Sequence, residues 1–405
     1  MAKKRIKKAP IIIIVLLLLI AIVGMLIGFI GLEIKIVDKK DVYEVGLNYK
    51  EVEEANIECT FFGSKENNIK KDKEIDTSKI GDQEITYTCT KILFKKSIKV
   101  KYTVVDKDAP KIELKGNKIK VVTVGDSYTE EGYTATDDID GDITKEVKTE
   151  SKINYSNVGN YKIKYQVTDK AGNEATAERE ILVRTANGYY YGCGEENTIY
   201  LTFDDGPNNT TTTQILDTLK KYNVKATFFV TNTNGGDDSQ IKREFDEGHK
   251  IAIHTDTHDY SKLYASVDAF WADMNKIQER IVKITGEKPD VMRFPGGSSN
   301  TVSRRYSPGI MLTLIRDVEE KGYSYVDWNV DSRDAEPAVT KTGDDVANNV
   351  TSGLVKTRGN VILMHDIKQT TAAGLEKIIQ YGQNRGYKFD VLSRDVICHH
   401  GVNNK

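Results

Sequence analysis

The sequence has almost no net charge and contains little proline and little histidine. Its 58 lysine and arginine residues nearly balance its 60 aspartate and glutamate residues, which leaves a formal net charge of -2. Nucleic-acid-binding proteins carry a broad basic field, and this balance gives no reason to expect one. The 405 residues include only 7 prolines and 6 histidines. A chain of this length predicts roughly two to three domains.

Cysteine is also rare, because the chain contains only Cys59, Cys89, Cys193 and Cys398. Their spacing matches no pattern of a zinc site. Cys59 and Cys89 fall within one predicted β domain, whereas Cys193 and Cys398 bracket another domain at its two ends. We therefore expect one disulfide within each domain, which the compartment outside a membrane would permit.

A long uncharged run lies near the N-terminus, from Ile11 to Leu32. It is about long enough to cross the ~30 Å hydrocarbon core of a bilayer as a helix. A basic cluster precedes it, formed by Lys3, Lys4, Arg5, Lys7 and Lys8. The positive-inside rule then predicts a cytoplasmic tail at 1–9, a transmembrane helix at 10–32 and an extracellular remainder. The alternative is a cleaved signal peptide, but the run exceeds a normal signal core and no clear cleavage site follows it.

Residues 33–185 have the pattern of an all-β region. Apolar and polar side chains alternate over short runs, and turn signals rich in glycine, asparagine and aspartate separate these runs. The segment KVKYTVVDK in the first half resembles KIKYQVTDK in the second half. This weak repeat predicts two tandem β-sandwich domains, at about 33–107 and 108–185, followed by a linker at 186–197.

The second β domain contains five short motifs, which are Gly125-x-x-Tyr128, Gly132-Tyr133-x-Ala135, Asp140-Gly141-Asp142-Ile143-Thr144, Val158-Gly159-Asn160-Tyr161 and Asp169-x-Ala171-Gly172-Asn173. With these motifs the domain resembles a bacterial immunoglobulin-like family of surface proteins. The first β domain matches only in its final strand. The acidic residues at 137–142 could offer oxygen ligands to Ca²⁺. We favour a simple solvated turn there, because aspartate and glycine stabilise turns locally.

From about Thr198 the pattern changes to short apolar strands that alternate with helices, which is typical of an α/β domain. A helix is predicted at 267–284, with an apolar face formed by Val267, Phe270, Trp271, Met274, Ile277 and Ile281. Strands are predicted at 198–203, 225–230, 250–254, 291–294, 323–327, 360–364 and 387–392. This alternation predicts a distorted (β/α) barrel at 198–398.

Polar clusters follow the ends of four of these strands. They are Asp204-Asp205, His254 to His258, Arg293 and His365. Because the carboxyl ends of parallel barrel strands meet at one mouth, we expect the clusters to converge there. On a helical turn His254 and His258 would face one side, as in His-x-x-x-His metal sites. Asp204 and Asp205 would point to opposite faces, so that one binds a metal and the other accepts a proton.

Five motifs follow one another over roughly residues 195–398, and they are Thr202-Phe203-Asp204-Asp205-Gly206-Pro207, His254-Thr255-x-x-His258, Arg293-Phe294-Pro295-Gly296-Gly297, Asp327-Trp328-x-x-Asp331-x-x-Asp334 and Leu363-Met364-His365. In this order they resemble the motifs of the polysaccharide deacetylase (NodB-homology) family, also called carbohydrate esterase family four. One of these motifs alone is weak evidence, because paired surface histidines and Asp-Gly-Pro turns occur by chance. All five in order are highly specific.

The resemblance implies a metal-dependent hydrolase. Asp205, His254 and His258 would hold a divalent metal, which is usually zinc in this family. Asp204 would be the general base that activates the attacking water. His365 would be the general acid that protonates the departing amine, a role that suits a group titrating near neutrality.

The resemblance also implies supporting roles. Arg293 would orient Asp204, and Asp334 would pair with Arg293. The backbone N–H of Gly296 would help to bind the oxyanion, and Leu363 with Trp328 would line the acetyl pocket.

This sequence departs from the family pattern at two positions. Ala335 follows Asp334 where a tryptophan is usual, which leaves Asp331 as an alternative partner for Arg293. Gly297 stands where an aromatic residue is often found, so we expect a more open groove.

The expected reaction is hydrolysis of N-acetyl groups on an extracellular polysaccharide, with release of acetate. Peptidoglycan N-acetylglucosamine is the favoured substrate, because one anchor and two β domains would hold the site outside the membrane, within reach of the wall. Two alternatives remain. One is an O-acetyl esterase that acts on xylan or an exopolysaccharide, and the other is an inactive surface protein that binds carbohydrate.

Overall fold

The computed structural model describes residues 9–403. The basic cluster and nearly all of the predicted cytoplasmic tail therefore lie outside the described residues. The chain forms two compact units. The first contains the chain up to Glu113 together with Thr134–Lys148 and Gln166–Thr176, and the second contains the remainder. The predicted second β domain is thus divided between the units.

The apolar run forms helix α1, Ala9–Gly31. Within it, Ile13–Gly31 has a mean hydropathy of 3.3 and is long and apolar enough to cross a membrane, by length and composition alone. The predicted helix end at Leu32 is wrong by one residue. Leu32 starts a strand instead, and its side chain packs against buried Cys59 and Cys89.

The region after α1 consists of β-strands, as predicted, apart from one 3₁₀ turn at Thr144–Glu146. Its first part contains two sheets with the strand orders β1-β3-β4 and β2-β7-β6-β5. The disulfide Cys59–Cys89 is present as predicted, and it joins β3 to β6. The strands are β1 Leu32–Ile36, β2 Tyr43–Gly46, β3 Ile57–Phe61, β4 Ser64–Lys65, β5 Ile69–Lys71, β6 Gly81–Lys91 and β7 Phe94–Val105.

The second part of the β region also contains two sheets, with the orders β11-β10-β8 and β12-β13-β14-β9. The acidic segment at 137–142 forms local turns, in which Asp137 accepts hydrogen bonds from the backbone of Ile139 and Asp140. The strands are β8 Lys111–Leu114, β9 Ile119–Thr123, β10 Tyr133–Asp137, β11 Gly141–Asp142, β12 Lys148–Ser151, β13 Gly159–Thr168 and β14 Glu174–Arg184.

Beyond residue 197 strands and helices alternate. The strands are β15 Thr198–Asp204, β16 Thr227–Val230, β17 Lys250–Ile253, β18 Val291–Met292, β19 Ser324–Tyr325, β20 Val330–Asp331, β21 Asn360–His365 and β22 Lys388–Asp390. The helices are α2 Thr211–Tyr222, α3 Asp238–Asp246, α4 Tyr260–Leu263, α5 Val267–Thr285, α6 Ile310–Glu320, α7 Gly343–Gly353 and α8 Gln369–Asn384. All seven predicted strands are present, and β20 was missed.

These strands form one sheet, in the order β19-β18-β17-β16-β15-β21-β20, with β22 paired to β15. Every pair in it is parallel. The path from β19 to β20 does not close in the described residues, so the α/β domain is a half-barrel rather than a full barrel. Its apolar strands are buried on both faces because helices cover the outside, as in other parallel sheets.

The end of the chain is fastened to the start of the α/β domain. Cys193 and Cys398 form the second predicted disulfide, and Tyr190 pairs with His399 in an antiparallel bridge. Nearby in the same unit, Arg184 at the end of β14 forms a buried ion pair with Glu319 of α6, with an N–O distance of 2.6 Å. The segment predicted as a linker is therefore held in place within its unit.

Candidate active site

The four polar clusters predicted at strand ends meet at one edge of the half-barrel. Asp204 is the last residue of β15 and lies directly beside His365, the last residue of β21. His254 follows β17, and Arg293 follows β18. Since all these strands are parallel, their carboxyl ends face the same way, and the predicted convergence is confirmed.

Three side chains at this edge could hold a metal ion: Asp205, His254 and His258. One ligand atom from each lies within 4.8 Å of the other two. Oδ1 of Asp205 is 3.5 Å from Nε2 of His254 and 3.3 Å from Nε2 of His258. This oxygen is buried and has no hydrogen-bond partner among the described residues. An unpaired buried carboxylate oxygen is costly, so the arrangement fits a cation, and one carboxylate with two imidazoles suits Zn²⁺.

The ring of His254 is held with its metal-binding nitrogen free. Its Nδ1 lies 2.8 Å from the carbonyl oxygen of Arg293, so Nδ1–H donates and Nε2 keeps its lone pair. Burial lowers the pKa of His254, although the charges of Asp204 and Asp205 oppose this effect. The neutral ring is the form that a metal requires.

The segment between the two histidines is a loop, not the helical turn that was expected. His258 has a φ of 48°, outside the helical region. The carboxylate of Asp273, on α5, accepts hydrogen bonds from the hydroxyls of Thr255 and Thr257 and from the N–H groups of Asp256 and Thr257. One buried carboxylate therefore fixes the loop that presents both imidazoles.

Sequence reasoning missed Asp273, although the helix pattern contained a signal. Asp273 is only 6% exposed and lies three residues after Phe270, within the apolar face of α5. A carboxylate on a buried helix face needs hydrogen-bond donors nearby.

Asp204 is fixed by Arg293. Nη1 of Arg293 lies 2.7 Å from Oδ1 of Asp204 and 2.8 Å from Oγ1 of Thr202. The other guanidinium nitrogens donate to the carbonyl oxygens of Val326 and Asp327. The arginine side chain is fully buried, so it holds Oδ1 of Asp204 from a fixed position.

The predicted pairing of Asp334 with Arg293 is wrong, and Asp331 does not pair with Arg293 either. Nδ1 of His365 lies 2.7 Å from Oδ1 of Asp334, while Oδ1 of Asp331 accepts the N–H of Arg333. The physical reason is the strand order. β20 lies beside β21, with Asp331 opposite Leu363, so the loop after β20 runs beside the end of β21.

The Asp334 contact changes the proton affinity of His365. Burial alone would lower the pKa of His365, but the hydrogen bond and charge of Asp334, with the charges of Asp204 and Asp205, raise it to about 9. Burial likewise favours the neutral form of Asp334, yet its bonds to His365 lower the pKa of Asp334 below the ordinary value. Both shifts favour an imidazolium bonded to a carboxylate.

The loop after β18 carries Gly296 and Gly297 in left-handed conformation, with φ of 75° and 77°. The N–H of Gly296 has no acceptor among the described residues. At Gly297 a Cβ atom would lie 3.2 Å from both the Trp328 indole and the Asp327 carboxylate. Trp328 therefore packs closely against the backbone at Gly297.

Two further groups at the site carried no recognisable sequence signal. The hydroxyl of Tyr260 would lie 2.7 Å from a Cβ on Gly296, and its ring packs beside His258. His400 contacts Trp328 in two ways. Its Nε2 lies 2.6 Å from the Trp328 carbonyl oxygen, and its ring packs edge-on against the indole. The contacts of Tyr260 with Gly296 and of His400 with Trp328 join segments that are distant in sequence.

Residues 191–309 match the family described as polysaccharide deacetylase, and residues 112–183 match the family of bacterial surface protein Ig-like domains. The chain is 34% identical to a peptidoglycan-N-acetylglucosamine deacetylase of Bacillus cereus, over 50% of this chain and 71% of the relative. It is 31% identical to a chitin deacetylase of Colletotrichum lindemuthianum, over 48% of this chain and 78% of the relative.

Among solved structures, a similar one is the catalytic domain of peptidoglycan N-acetylglucosamine deacetylase from Eubacterium rectale. The identity is 47% and the TM-score is 0.50, and the match covers 52% of this chain and 94% of that domain. The fold and the site define a carbohydrate esterase family four hydrolase. The chain belongs to the polysaccharide deacetylase family, and it is a deacetylase that carries an Ig-like domain.

Proposed function

We propose that this protein hydrolyses the N-acetyl groups of peptidoglycan N-acetylglucosamine outside the cell, in a metal-dependent reaction. The proposal rests mainly on one observation: Asp205, His254 and His258, which could hold a metal, lie beside Asp204 and His365. Asp204 forms an ion pair with Arg293, and His365 forms one with Asp334. The set supplies a metal site, a base and an acid at one edge of the sheet.

The metal would be held by Asp205, His254 and His258, and Zn²⁺ suits these ligands best. When bound, such an ion polarises the acetamide carbonyl and makes the attacking water more acidic. The protein's own contribution is to fix the ligands, because Asp273 holds the loop and the Arg293 carbonyl holds His254.

Proton transfer is divided between two side chains. Asp204 accepts a proton from the attacking water as the new C–O bond forms, and Arg293 keeps its carboxylate in position. His365 gives its proton to the amide nitrogen as the C–N bond breaks, which releases acetate and leaves a free amine on the sugar. The raised pKa of His365 keeps this proton in place at neutral pH.

The oxyanion and the acetyl methyl group need separate contacts. The N–H of Gly296 is available to donate to the oxyanion. We assign the acetyl pocket to Trp328 and Leu363, which lie on the segments next to Arg293 and His365.

The N-terminal regions support the cellular setting. Helix α1 would anchor the chain in the membrane with the N-terminus in the cytoplasm, and the β regions would carry the site toward the wall. We propose that the first β region is immunoglobulin-like as well, on the basis of its repeat with the second. Peptidoglycan is favoured over chitin or acetylated xylan because similar proteins are peptidoglycan-N-acetylglucosamine deacetylases.

The test is acetate release by the full chain in detergent, with N-acetylated peptidoglycan strands, chitin oligomers and O-acetylated xylan offered in parallel. We expect the highest kcat/KM on the peptidoglycan strands, loss of activity with a chelator, and recovery when Zn²⁺ is added. Preference for xylan would favour the O-acetyl esterase. Binding of strands without acetate release from any substrate would favour the inactive binding protein.

A further inference from the structure

Two hairpins of the first β region end in large apolar side chains that the fold does not bury. The β3–β4 hairpin turns at Phe62-Gly63, and the β6–β7 hairpin turns at Ile92-Leu93. Phe62 is 61% exposed, Ile92 is 77% exposed and Leu93 is 84% exposed. These three residues, called here the apolar tips, therefore add little to the core of their own unit.

The backbone at the apolar tips is unfavourable for the residues that occupy it. Phe62 has a φ of 49° and Ile92 a φ of 55°. Two-residue hairpin turns place glycine, asparagine or aspartate at such positions, and a β-branched residue is disfavoured there by its Cβ. The sequence keeps phenylalanine and isoleucine where glycine or asparagine would relieve strain, so these side chains serve something other than the fold.

The apolar tips lie beside the end of helix α1. The helix ends at Gly31 and β1 begins at Leu32, so no linker separates the two elements. A Cβ atom on Gly31 would collide with the Phe62 ring, and one on Gly28 with the ring of Phe94, which follows the second tip. With a rise of 1.5 Å per residue, Gly28 lies about 4.5 Å inside the helix end. The hairpins thus reach alongside the last turn of the apolar segment.

Basic residues flank the second tip. The sequence is Lys91-Ile92-Leu93-Phe94-Lys95-Lys96, and Nζ of Lys96 lies 5.1 Å from the ring centre of Phe29 in α1. Apolar side chains bordered by lysines are typical of segments that enter the membrane interface, where the lysines meet anionic headgroups. The charge and the apolar surface therefore fit the same partner.

We propose that Phe62, Ile92 and Leu93 insert into the outer interface of the membrane that α1 spans, and that the first β region lies directly on the lipid surface. This inference rests on the membrane anchor of the proposed function. It adds a second contact with lipid, which would fix the tilt of the first β region instead of leaving it free to swing on a single helix.

The experiment places a tryptophan at a tip of the full chain, in vesicles of phosphatidylcholine and phosphatidylglycerol with or without brominated acyl chains. The chain has only 2 tryptophans, Trp271 and Trp328, so difference spectra isolate the new one. We expect Leu93→Trp to emit at shorter wavelength and to lose at least half of its added emission to brominated lipid. The matched control is Ile139→Trp, at a residue 46% exposed in the turn between β10 and β11, which should show neither effect.

Phe62→Trp repeats the test with a conservative change, in case Leu93→Trp fails to fold. A chain that does not float with the vesicles would refute the anchor itself. A chain that floats, but whose tip tryptophans are quenched by aqueous iodide and not by brominated lipid, would refute the tip contact alone. Emission that shifts only as the number of chains per vesicle rises would also overturn the proposal, in favour of contact with a second copy.

Discussion

Two hydrogen bonds join His365 to the carboxylate of Asp334. Nδ1 of His365 lies 2.7 Å from Oδ1 of Asp334, and the backbone N–H of His365 donates to Oδ2 at 2.7 Å. The hydroxyl of Thr371 also donates to Oδ2. Asp334 therefore both orients the imidazole and stabilises its charged form, which links the geometry of the site to its pH dependence.

Replacing Asp334 by asparagine should shift the alkaline limb of the pH–kcat profile. His365 acts as an acid only while protonated, and its pKa is raised to about 9, so activity should persist until the pH rises toward that value. A metal ion bound to Asp205 would offset the negative charge of Asp205, which is one cause of the raised pKa of His365. The alkaline limb of the profile would then lie at a somewhat lower pH. In Asp334→Asn burial dominates, and the limb should fall below the ordinary histidine pKa of about 6.5.

The same variant should lose several-fold to about 10²-fold in kcat at pH 7, depending on how far the pKa falls below about 6.5, because most of its His365 would be neutral. Asp331→Asn is the matched control, since Asp331 lies on the same segment without touching His365. A limb that stays in place in Asp334→Asn would show that His365 is not the acid.

His258→Ala should remove most of the bound metal, because it deletes one of three ligands. Metal content by mass spectrometry is the direct measurement, with kcat beside it. His400→Ala deletes an imidazole that lies outside the ligand set and should keep the metal. Equal metal content in the two variants would argue against the proposed ligands.

His400→Ala should instead affect the acyl group that the enzyme accepts. Its ring and its bond to the Trp328 carbonyl hold the indole in place, so its loss should loosen the acetyl pocket. We expect the ratio of kcat/KM for N-acetyl over N-propionyl oligomers to fall about tenfold, in line with the size discrimination of apolar pockets. His400→Gln, which can still donate to that carbonyl, should recover part of the ratio, and an unchanged ratio in both variants would exclude this role.

The disulfide Cys193–Cys398 closes a loop with a sequence separation of 205 residues. Loop-entropy arguments assign such a link about 5 kcal/mol of stability, so the double serine variant should unfold at a clearly lower temperature. Its activity should also fall, because the Cys398 carbonyl accepts the N–H of Asp327, next to Trp328. The serine variant of Cys59 and Cys89, in the other unit, should be destabilised yet retain kcat. Two free thiols at Cys193 and Cys398 in exported protein would contradict this account.

The sequence allowed the convergence of Asp204, His254, Arg293 and His365 to be predicted because it follows from strand direction alone. The partner of Asp334 was predicted wrongly because it depends on β20, a strand of two residues that has no periodicity to detect. The conformation between His254 and His258 was also wrong. A spacing of four suits a helix, but the hydrogen bonds from the loop to Asp273 outweigh that preference, and this contact joins distant segments.

The sequence pattern also could not predict that the sheet is open or that Leu32 is buried in the first strand. A full barrel and a half-barrel have the same alternation of strands and helices, and only the pairing at the sheet edges separates them. Leu32 continues the apolar run of α1 in composition, yet its burial against Cys59 and Cys89 makes it part of the first strand.

Asp205 is assigned to metal binding and its neighbour Asp204 to proton transfer. Metal content measured together with kcat in Asp204→Asn and Asp205→Asn tests this division most directly. Asp205→Asn should lose metal affinity, because its Oδ1 faces both imidazoles. Asp204→Asn should keep the metal and lose about 10²–10⁴ in kcat, as expected for removal of a general base. Arg293→Met should also keep the metal, and its loss in kcat should be smaller than that of Asp204→Asn, because Arg293 only positions the Asp204 carboxylate. Loss of metal in Asp204→Asn, with full metal in Asp205→Asn, would show that the two roles are reversed.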